Sequence, residues 1–476
     1  MRFISTRGGE KVTAAEAVAS GTAANGGLFV PEKLPAISKA ETDGMLELSF
    51  PERTAKILKK FFTELDEAEL LSVLEEVYSS FEGDDPAPLV RVDDGVYMLE
   101  LFHGPTLSSK DMAVAALPLI LKKYCADRKA VVAATSGDLG KSVLERFKGG
   151  DIKIAVLYPS DGLSKMQKLQ LVTEEGKNTD VVAVKGSFDD CLGAVRELLA
   201  GKTVACANSL NFASLAPRIA YYFSAYLDLL SSEQIEDGEI IDFYIPSGNL
   251  GEVVAAYYAR AMGLPVRRIH VATNENNGLA GFFRTGVFEK GREAVKTTSP
   301  SMDILVPADL ERLVFEISGR DTRLTAKRFS GLDSEGKFSL TQNELEKLGE
   351  IFDCGSADEE TCVEAMYDVF VDTGYTMDTC TGCAMKVAHD WYEKHKKDET
   401  KAVIVAVDSP YKFPQDVLYA VTGNDVKDSF KGVKRLHDAT AMAVPQCVKE
   451  LRDKPVRFTK AVDKKGIFDE LAGFFK

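Results

Sequence analysis

A lysine that follows a glycine-proline turn is the first candidate for chemistry. Lys110 lies near the end of the stretch Leu-Phe-His-Gly-Pro-Thr-Leu-Ser-Ser-Lys-Asp, residues 101–111, and an apolar helix that includes residues 113–121 is predicted to follow. A lysine held in one orientation and partly removed from water can serve as a nucleophilic amine that forms an imine with a carbonyl group. The segment by itself is also typical of an ordinary surface lysine at a helix start.

A glycine-containing turn at residues 247–251, Ser-Gly-Asn-Leu-Gly, is the second candidate, and it follows a short apolar strand. Glycines let backbone N–H groups converge and adopt unusual φ angles, and the start of the next helix adds partial positive charge. The turn is therefore suited to a phosphate group. The candidate phosphate-binding residues are Ser247, Gly248, Asn249, Leu250 and Gly251. A tight connection between a strand and a helix would give the same pattern.

A third turn, Thr-Ser-Gly-Asp-Leu-Gly at residues 135–140, follows the apolar run at residues 131–134. Its hydroxyl and backbone donors would lie at the carboxyl end of a strand, where α/β proteins bind small ligands. Thr135 and Ser136 are therefore candidates for binding a substrate carboxylate. A helix start capped by Ser136 or Asp138 is the alternative interpretation.

Composition narrows the class of protein. The chain has 476 residues, of which 45% are hydrophobic and 28% charged, and a formal charge of −15. Such an acidic chain is not expected to bind nucleic acid or an acidic membrane, because those surfaces require clustered lysine and arginine. No segment is apolar for long enough to serve as a signal sequence or to span a bilayer, so we expect a cytoplasmic protein.

The eight cysteines are scattered along the chain, which is typical of reduced thiols and not of a disulfide framework. Cys380 and Cys383 form one CxxC pair, but the five histidines offer no second half for a tetrahedral zinc site. We therefore expect no metal and interpret the pair as small packing residues, with metal or redox use as the alternative.

Short apolar runs recur along the chain and alternate with segments of helix length. They lie at residues 131–134, 152–158, 181–184, 240–245, 269–272 and 403–407. This alternation predicts an α/β fold of parallel-sheet lobes with helices on both faces, preceded by a mostly helical lobe. We expect lobes at residues 1–95, 96–230 and 231–476, the last with a polar excursion at about residues 330–360.

Taken together and in chain order, the three segments resemble the threonine synthases, which are pyridoxal-5′-phosphate (PLP) enzymes of fold type II (tryptophan synthase β-like). The resemblance is closer to the long bacterial and fungal branch of that family. Further similar stretches are collinear with them. These stretches are residues 3–8, 26–31, 158–167, 207–211, 272–274 and 299–303.

The resemblance implies a role for each candidate residue. Lys110 would be the catalytic Schiff-base lysine, residues 247–251 would bind the cofactor phosphate, and Asp138 would lie near the phenolic oxygen of PLP. Thr135 and Ser136 would bind the substrate carboxylate. The implied partner is a small phosphorylated amino acid, O-phospho-L-homoserine, which reacts with water to give L-threonine and phosphate in a monomer or homodimer.

Several departures from the family cluster where the substrate should lie. Leu139 replaces a threonine, and Ser108 and Ser109 replace an alanine and a phenylalanine. Charged residues of the family are lost at three positions, Ser214, Asn277 and Gly281. Another cation would then have to bind the leaving phosphate, and the candidates are Arg218, Lys412, Lys141 and Lys165.

A further departure concerns the ring nitrogen of the cofactor. The threonine thought to meet that nitrogen in the family is Val407 here, so either Ser409 or Asp408 could replace it. A hydroxyl would leave the nitrogen neutral, whereas an ionised carboxylate would keep it protonated and strengthen the electron sink. The alternatives to a threonine synthase are a related phospholyase or β-replacement enzyme with a different (phospho)amino acid substrate, and a PLP-binding protein without catalysis.

Overall fold

Two sheets, one parallel and one mostly parallel, organise the chain. The computed structural model describes residues 1–128 and 130–475. Its strands are β1 Arg2–Ser5, β2 Val12–Thr13, β3 Phe29–Pro31, β4 Leu89–Asp93, β5 Val96–Glu100, β6 Ala130–Ala134, β7 Lys153–Pro159, β8 Thr179–Val184, β9 Ala205–Cys206, β10 Ile241–Pro246, β11 Val266–Thr273, β12 Val287–Glu289, β13 Lys337–Ser339, β14 Phe352–Ser356, β15 Lys401–Ala406 and β16 Ala461–Val462.

The larger sheet has six strands in the order β14-β11-β10-β15-β5-β4, all parallel except the antiparallel pair β4 and β5. The smaller sheet has five parallel strands in the order β16-β8-β7-β6-β9. Every residue of β6 and of β10 is buried, as expected for strands covered on both faces by helices.

Helices cover these sheets. They are α1 Ala14–Ser20, α2 Lys39–Asp43, α3 Phe50–Phe61, α4 Glu67–Tyr78, α5 Lys110–Val114, α6 Leu117–Tyr124, α7 Asp138–Phe147, α8 Lys165–Val172, α9 Phe188–Ala200, α10 Phe212–Leu215, α11 Arg218–Ser231, α12 Gly251–Ala261, α13 Gly278–Thr285, α14 Leu310–Ile317, α15 Thr322–Glu335, α16 Gln342–Ile351, α17 Glu359–Thr373, α18 Thr379–Lys394, α19 Pro414–Thr422, α20 Ser429–Thr440, α21 Gln446–Leu451 and α22 Gly466–Phe475. None of those in the described ranges is long and apolar enough to cross a membrane.

The six predicted apolar runs are all strands of the two sheets, which confirms the predicted α/β architecture. Strand β14 lies in the polar segment at about residues 330–360, which the sequence analysis interprets as an excursion and not as part of a sheet. In the structure it forms an edge of the larger sheet. That sheet takes strands from all three predicted lobes, since β4 precedes residue 95 and β5 follows it. The division at residues 95 and 230 stays a prediction.

Candidate active site

A narrow cavity lies where the carboxyl ends of strands from both sheets meet. Its lining includes residues 246–252 after β10, residues 134–136 and 138–139 after β6, and Lys110 after β5. Its free volume is about 80 Å³. This position is the one at which open parallel sheets bind their ligands.

The loop before Lys110 is held rigidly. The buried carboxylate of Asp111 accepts hydrogen bonds from the backbone N–H of Thr106 at 2.9 Å and from its hydroxyl at 2.7 Å. Leu107 has a φ of 63°, a left-handed conformation that is uncommon for a residue with a side chain. Lys110 then opens α5. The loop therefore fixes the direction of the lysine side chain.

Glu252 joins the two cations of the cavity. Lys110 Nζ lies 2.7 Å from Glu252 Oε1, and the guanidinium of Arg218 donates to the same oxygen. Burial alone would raise the pKa of Glu252, but Arg218 and Lys110 together hold it below its ordinary value. Sequence reasoning assigned no role to Glu252, although its place directly after the glycine turn was a signal.

The glycine turn has the geometry of an anion site. Ser247 Oγ accepts from the backbone N–H of Leu250 at 3.0 Å, and α12 begins at Gly251, so its first N–H groups lack partners within the helix. The left-handed residue is Leu250, with a φ of 62°, and not Gly248 or Gly251, so the expectation of unusual φ at the glycines is wrong.

Gly248 is required for another reason. A Cβ atom there would lie 2.9 Å from the Cα of Met302 and 3.0 Å from its carbonyl oxygen. The glycine therefore lets the 299–303 segment pack directly against the turn. Asn249 reinforces this packing, because its side-chain oxygen accepts from the N–H of Ala308 at 2.9 Å.

The turn after β6 supplies Thr135, Ser136 and Asp138 to the cavity. The backbone N–H of Gly137 donates to Thr135 Oγ1 at 3.0 Å, and Gly137 has a φ of 140° that favours glycine. Both carboxylate oxygens of Asp138 lie 3.0 Å from Gln167 Nε2. Ser301 also donates to Asp138, a contact that sequence reasoning missed although Ser301 lies in a similar stretch.

Two predicted site residues lie outside the lining. Lys412 is 1% exposed and forms an ion pair with Asp138, so its ammonium lies behind that carboxylate. Burial would lower the pKa of Lys412, but Asp138 and Asp408 raise it above the ordinary value. Ser409 accepts from the backbone N–H of Tyr411 at 3.4 Å and caps a short 3₁₀ helix.

The remaining candidate cations do not reach the cavity. Lys141 forms ion pairs with Glu145 and Glu174, and Lys165 is an exposed side chain on α8. Asn277 and Gly281 are also outside the lining, and Arg292 donates to Asn277 Oδ1 at 3.0 Å near that surface. Lys110 and Arg218 are therefore the two basic side chains among the described residues of the cavity lining.

A group of acidic and sulfur side chains closes the far wall. Cys380 and Asp408 line the cavity. A carboxylate oxygen of Asp378, the sulfur of Cys380 and a carboxylate oxygen of Asp408 lie within 4.8 Å of one another. Asp378 caps α18 by accepting from the N–H of Cys380 at 2.8 Å. Cys383 lies 3.8 Å from Cys362 between sulfur atoms, and all eight cysteines are free.

These groups fit PLP. Lys110 offers the amine for its carbonyl group, the turn before α12 offers a phosphate site, and Oδ1 of Asp408 is a buried acceptor without a partner in the described chain. A family model described as pyridoxal-phosphate dependent enzyme matches residues 82–408. The chain is therefore a member of the PLP-dependent enzymes, with their fold type II.

Within that class, the chain belongs to the threonine synthase family. A model described as threonine synthase N terminus matches residues 2–78. The threonine synthase of Pseudomonas aeruginosa is 33% identical over 436 residues, which cover 89% of this chain and 91% of that protein. The human protein named threonine synthase-like 1 is 32% identical over 92% of this chain and 64% of its own length. The PLP-bound threonine synthase of Brucella melitensis superposes with a TM-score of 0.85 at 29% identity, covering 100% of this chain and 99% of that structure.

Proposed function

We propose that the protein is a threonine synthase, a PLP-dependent carbon-oxygen lyase that converts O-phospho-L-homoserine and water to L-threonine and phosphate. Similarity to threonine synthases along nearly the whole chain is the observation that carries this proposal. The cavity agrees with it, because an amine, a phosphate seat and two hydroxyl-bearing residues converge there.

PLP, when bound, withdraws electrons from the α-carbon of an amino acid. The side chains around it would then position the reaction. Lys110 Nζ, released from its contact with Glu252, would hold the cofactor and, once displaced by the substrate, would take and return the proton of the α-carbon. Residues 247–251 would hold the cofactor phosphate, and Asp138 would lie near its phenolic oxygen. Thr135 and Ser136 hold the substrate carboxylate.

Arg218 is proposed to bind the leaving phosphate. It is 5% exposed and lines the cavity, and its Nε donates to the carbonyl of Ser214 at 3.2 Å, which turns the guanidinium toward Glu252. Lys110 and Arg218 both pair with Glu252, while Asp138 is paired with Lys412, so one positive charge remains for an anionic group. That surplus charge is the electrostatic basis for binding a phosphorylated substrate.

The ion pair between Arg218 and Glu252 favours a second candidate function. A cation already paired binds a leaving phosphate at that position less strongly, so the alternative is a phospholyase or β-replacement enzyme acting on another (phospho)amino acid, whose leaving group does not depend on Arg218. Similarity to the protein named threonine synthase-like 1 is consistent with this alternative.

One assay tests both candidates. The purified protein with PLP is incubated in parallel with O-phosphohomoserine, O-phosphothreonine and O-phosphoserine, and phosphate and the organic product are measured for each. Threonine formed from O-phosphohomoserine supports the proposal. Phosphate release confined to another substrate supports the second candidate. We further propose a cytoplasmic location and a monomer or homodimer, testable by fractionation and light scattering.

A further inference from the structure

Asp408 follows β15, the strand that lies between the two halves of the candidate site. β15 pairs with β10, which leads to the glycine turn, and with β5, which leads to Lys110. A cofactor whose phosphate lies in that turn and whose carbonyl carbon is bonded to Lys110 must therefore cross the end of β15. Both residues at that end, Val407 and Asp408, line the cavity.

Asp408 has an unsatisfied carboxylate oxygen. The residue is 2% exposed, and its Oδ1 has no hydrogen-bond partner among the described residues. Lys412 Nζ is 3.8 Å away, too far for a hydrogen bond, because it is engaged by Asp138. A buried carboxyl oxygen without a partner is costly, so the site is incomplete until a hydrogen-bonding group reaches Asp408.

The neighbouring side chains cannot take the place of Asp408. Neither Ser409 nor Asp378 lines the cavity, and their side chains cap the 3₁₀ helix and α18 instead. Val407 has no polar group. Cys380 lines the cavity, but a buried thiol is only a weak hydrogen-bonding group.

We propose that Asp408 binds the pyridine nitrogen of PLP through one proton that lies between the nitrogen and the carboxylate. This inference rests on the proposed cofactor site and adds the electronic state of its ring. The carboxyl group supplies the proton, so none is taken from solvent. The nitrogen becomes cationic, the carboxylate becomes anionic, and the ring withdraws electrons more strongly than it would beside a hydroxyl group.

The charged groups around Asp408 are consistent with a proton on its carboxyl group. Burial, together with Asp138 and Asp378, raises the pKa of Asp408 to about 8, and Lys412 opposes them. The raised pKa favours the protonated carboxyl group, which can then share its proton with a base. Asp138, Asp378 and Asp408 face one ammonium, that of Lys412, so a cationic ring nitrogen would offset the negative charge that Asp408 gains on giving up its proton.

The test is the protonation state of the bound nitrogen. PLP labelled with ¹⁵N is bound to the wild-type protein and to Asp408→Asn and Cys380→Ser, and the ¹⁵N chemical shift and N–H coupling are measured by NMR at neutral pH. We expect a protonated nitrogen in the wild type and in Cys380→Ser, and an unprotonated nitrogen in Asp408→Asn.

An unprotonated nitrogen in the wild type, or a protonated one in Asp408→Asn, overturns the assignment. The wild-type measurement by itself can overturn the assignment even where the variant does not fold. Borohydride reduction of the same samples separates the two proposals: without a cofactor adduct on Lys110 the cofactor site itself is wrong, whereas an adduct with an unprotonated nitrogen refutes only the role of Asp408.

Discussion

Lys110 and Arg218 compete for one carboxylate, and this competition sets the residue-scale behaviour of the site. Glu252 is 5% exposed and accepts from both cations through the same oxygen. Its two positive neighbours keep it ionised. Removing either cation should therefore change how firmly the other is held.

Lys110→Ala should abolish turnover and covalent attachment of PLP. The variant lacks the amine that the rigid 104–111 loop directs into the cavity. The measurement is borohydride reduction followed by peptide mass analysis, alongside the activity assay. Lys122→Ala, at an exposed lysine of α6, is the matched control and should behave as the wild type. A reduced adduct on the same peptide of Lys110→Ala would show that the assignment is wrong.

Arg218→Ala should lower kcat/KM for O-phosphohomoserine by about ten- to a hundredfold without preventing PLP binding. A hydrogen bond to a charged group contributes about 1.5–3 kcal/mol, and the loss also leaves Lys110 as the only cation on Glu252 within the described lining. Steady-state kinetics and cofactor titration measure the two effects separately. Arg218→Lys, which keeps the charge, should recover part of the loss. Full activity of Arg218→Ala would remove this arginine from the substrate site.

At the scale of elements, the connection between β10 and α12 combines a phosphate seat with a packing surface. The left-handed Leu250 aims the start of α12 at the cavity, and Gly248 lets the backbone of Met302 approach. The turn and the 299–303 segment therefore hold each other in place, and Ser301 of that segment reaches Asp138.

Gly248→Ala should weaken PLP binding by about tenfold or more. Its new Cβ would lie 2.9 Å from Met302 Cα, and such overpacking costs about 1–3 kcal/mol. Fluorescence titration with PLP measures the affinity. Gly349→Ala is the control, because nothing lies within 4 Å of its Cβ position on α16, and it should leave affinity unchanged. Equal affinities in the two variants would place the phosphate elsewhere.

At the scale of the whole molecule, Lys412 connects the two sheets. It follows β15 of the larger sheet, pairs with Asp138 at the end of β6 in the smaller one, and accepts through its carbonyl from Ser164 at 2.8 Å. Burial would raise the pKa of Asp138, but Lys412 lowers it below the ordinary value. The stabilisation is therefore present above the ordinary aspartate range and is lost as pH falls through the lowered value.

Lys412→Met should lower the free energy of unfolding by about 3–5 kcal/mol at neutral pH, since it leaves buried carboxylates uncompensated. Urea unfolding measures this difference, which should narrow in acid as Asp138 becomes protonated. Lys165→Met is the control: its pair with Asp428 is 3.9 Å long and exposed, so about 0–1 kcal/mol is expected. A difference that is constant down to strongly acid pH would contradict the proposed pairing.

The sequence by itself determined the α/β class and the family, and it predicted that Lys110 and the two glycine-containing turns belong to one site. These features are local: strand periodicity, turn residues and collinear motifs are written in short stretches of chain. Only the tertiary structure could distinguish Asp408 from Ser409 as candidate partners of the ring nitrogen. Asp408 lines the cavity, whereas Ser409 lies outside the lining and caps the 3₁₀ helix.

The same holds for the charges of the site. Lys110 and Glu252 are 142 residues apart in the chain, so no local pattern could pair them. Asn277 and Gly281, which the sequence predicts to be lost substrate contacts, lie outside the cavity lining, and the candidate cation Lys412 is buried behind Asp138. Which charges meet depends on how the two sheets are packed together, and that packing is a property of the folded chain as a whole.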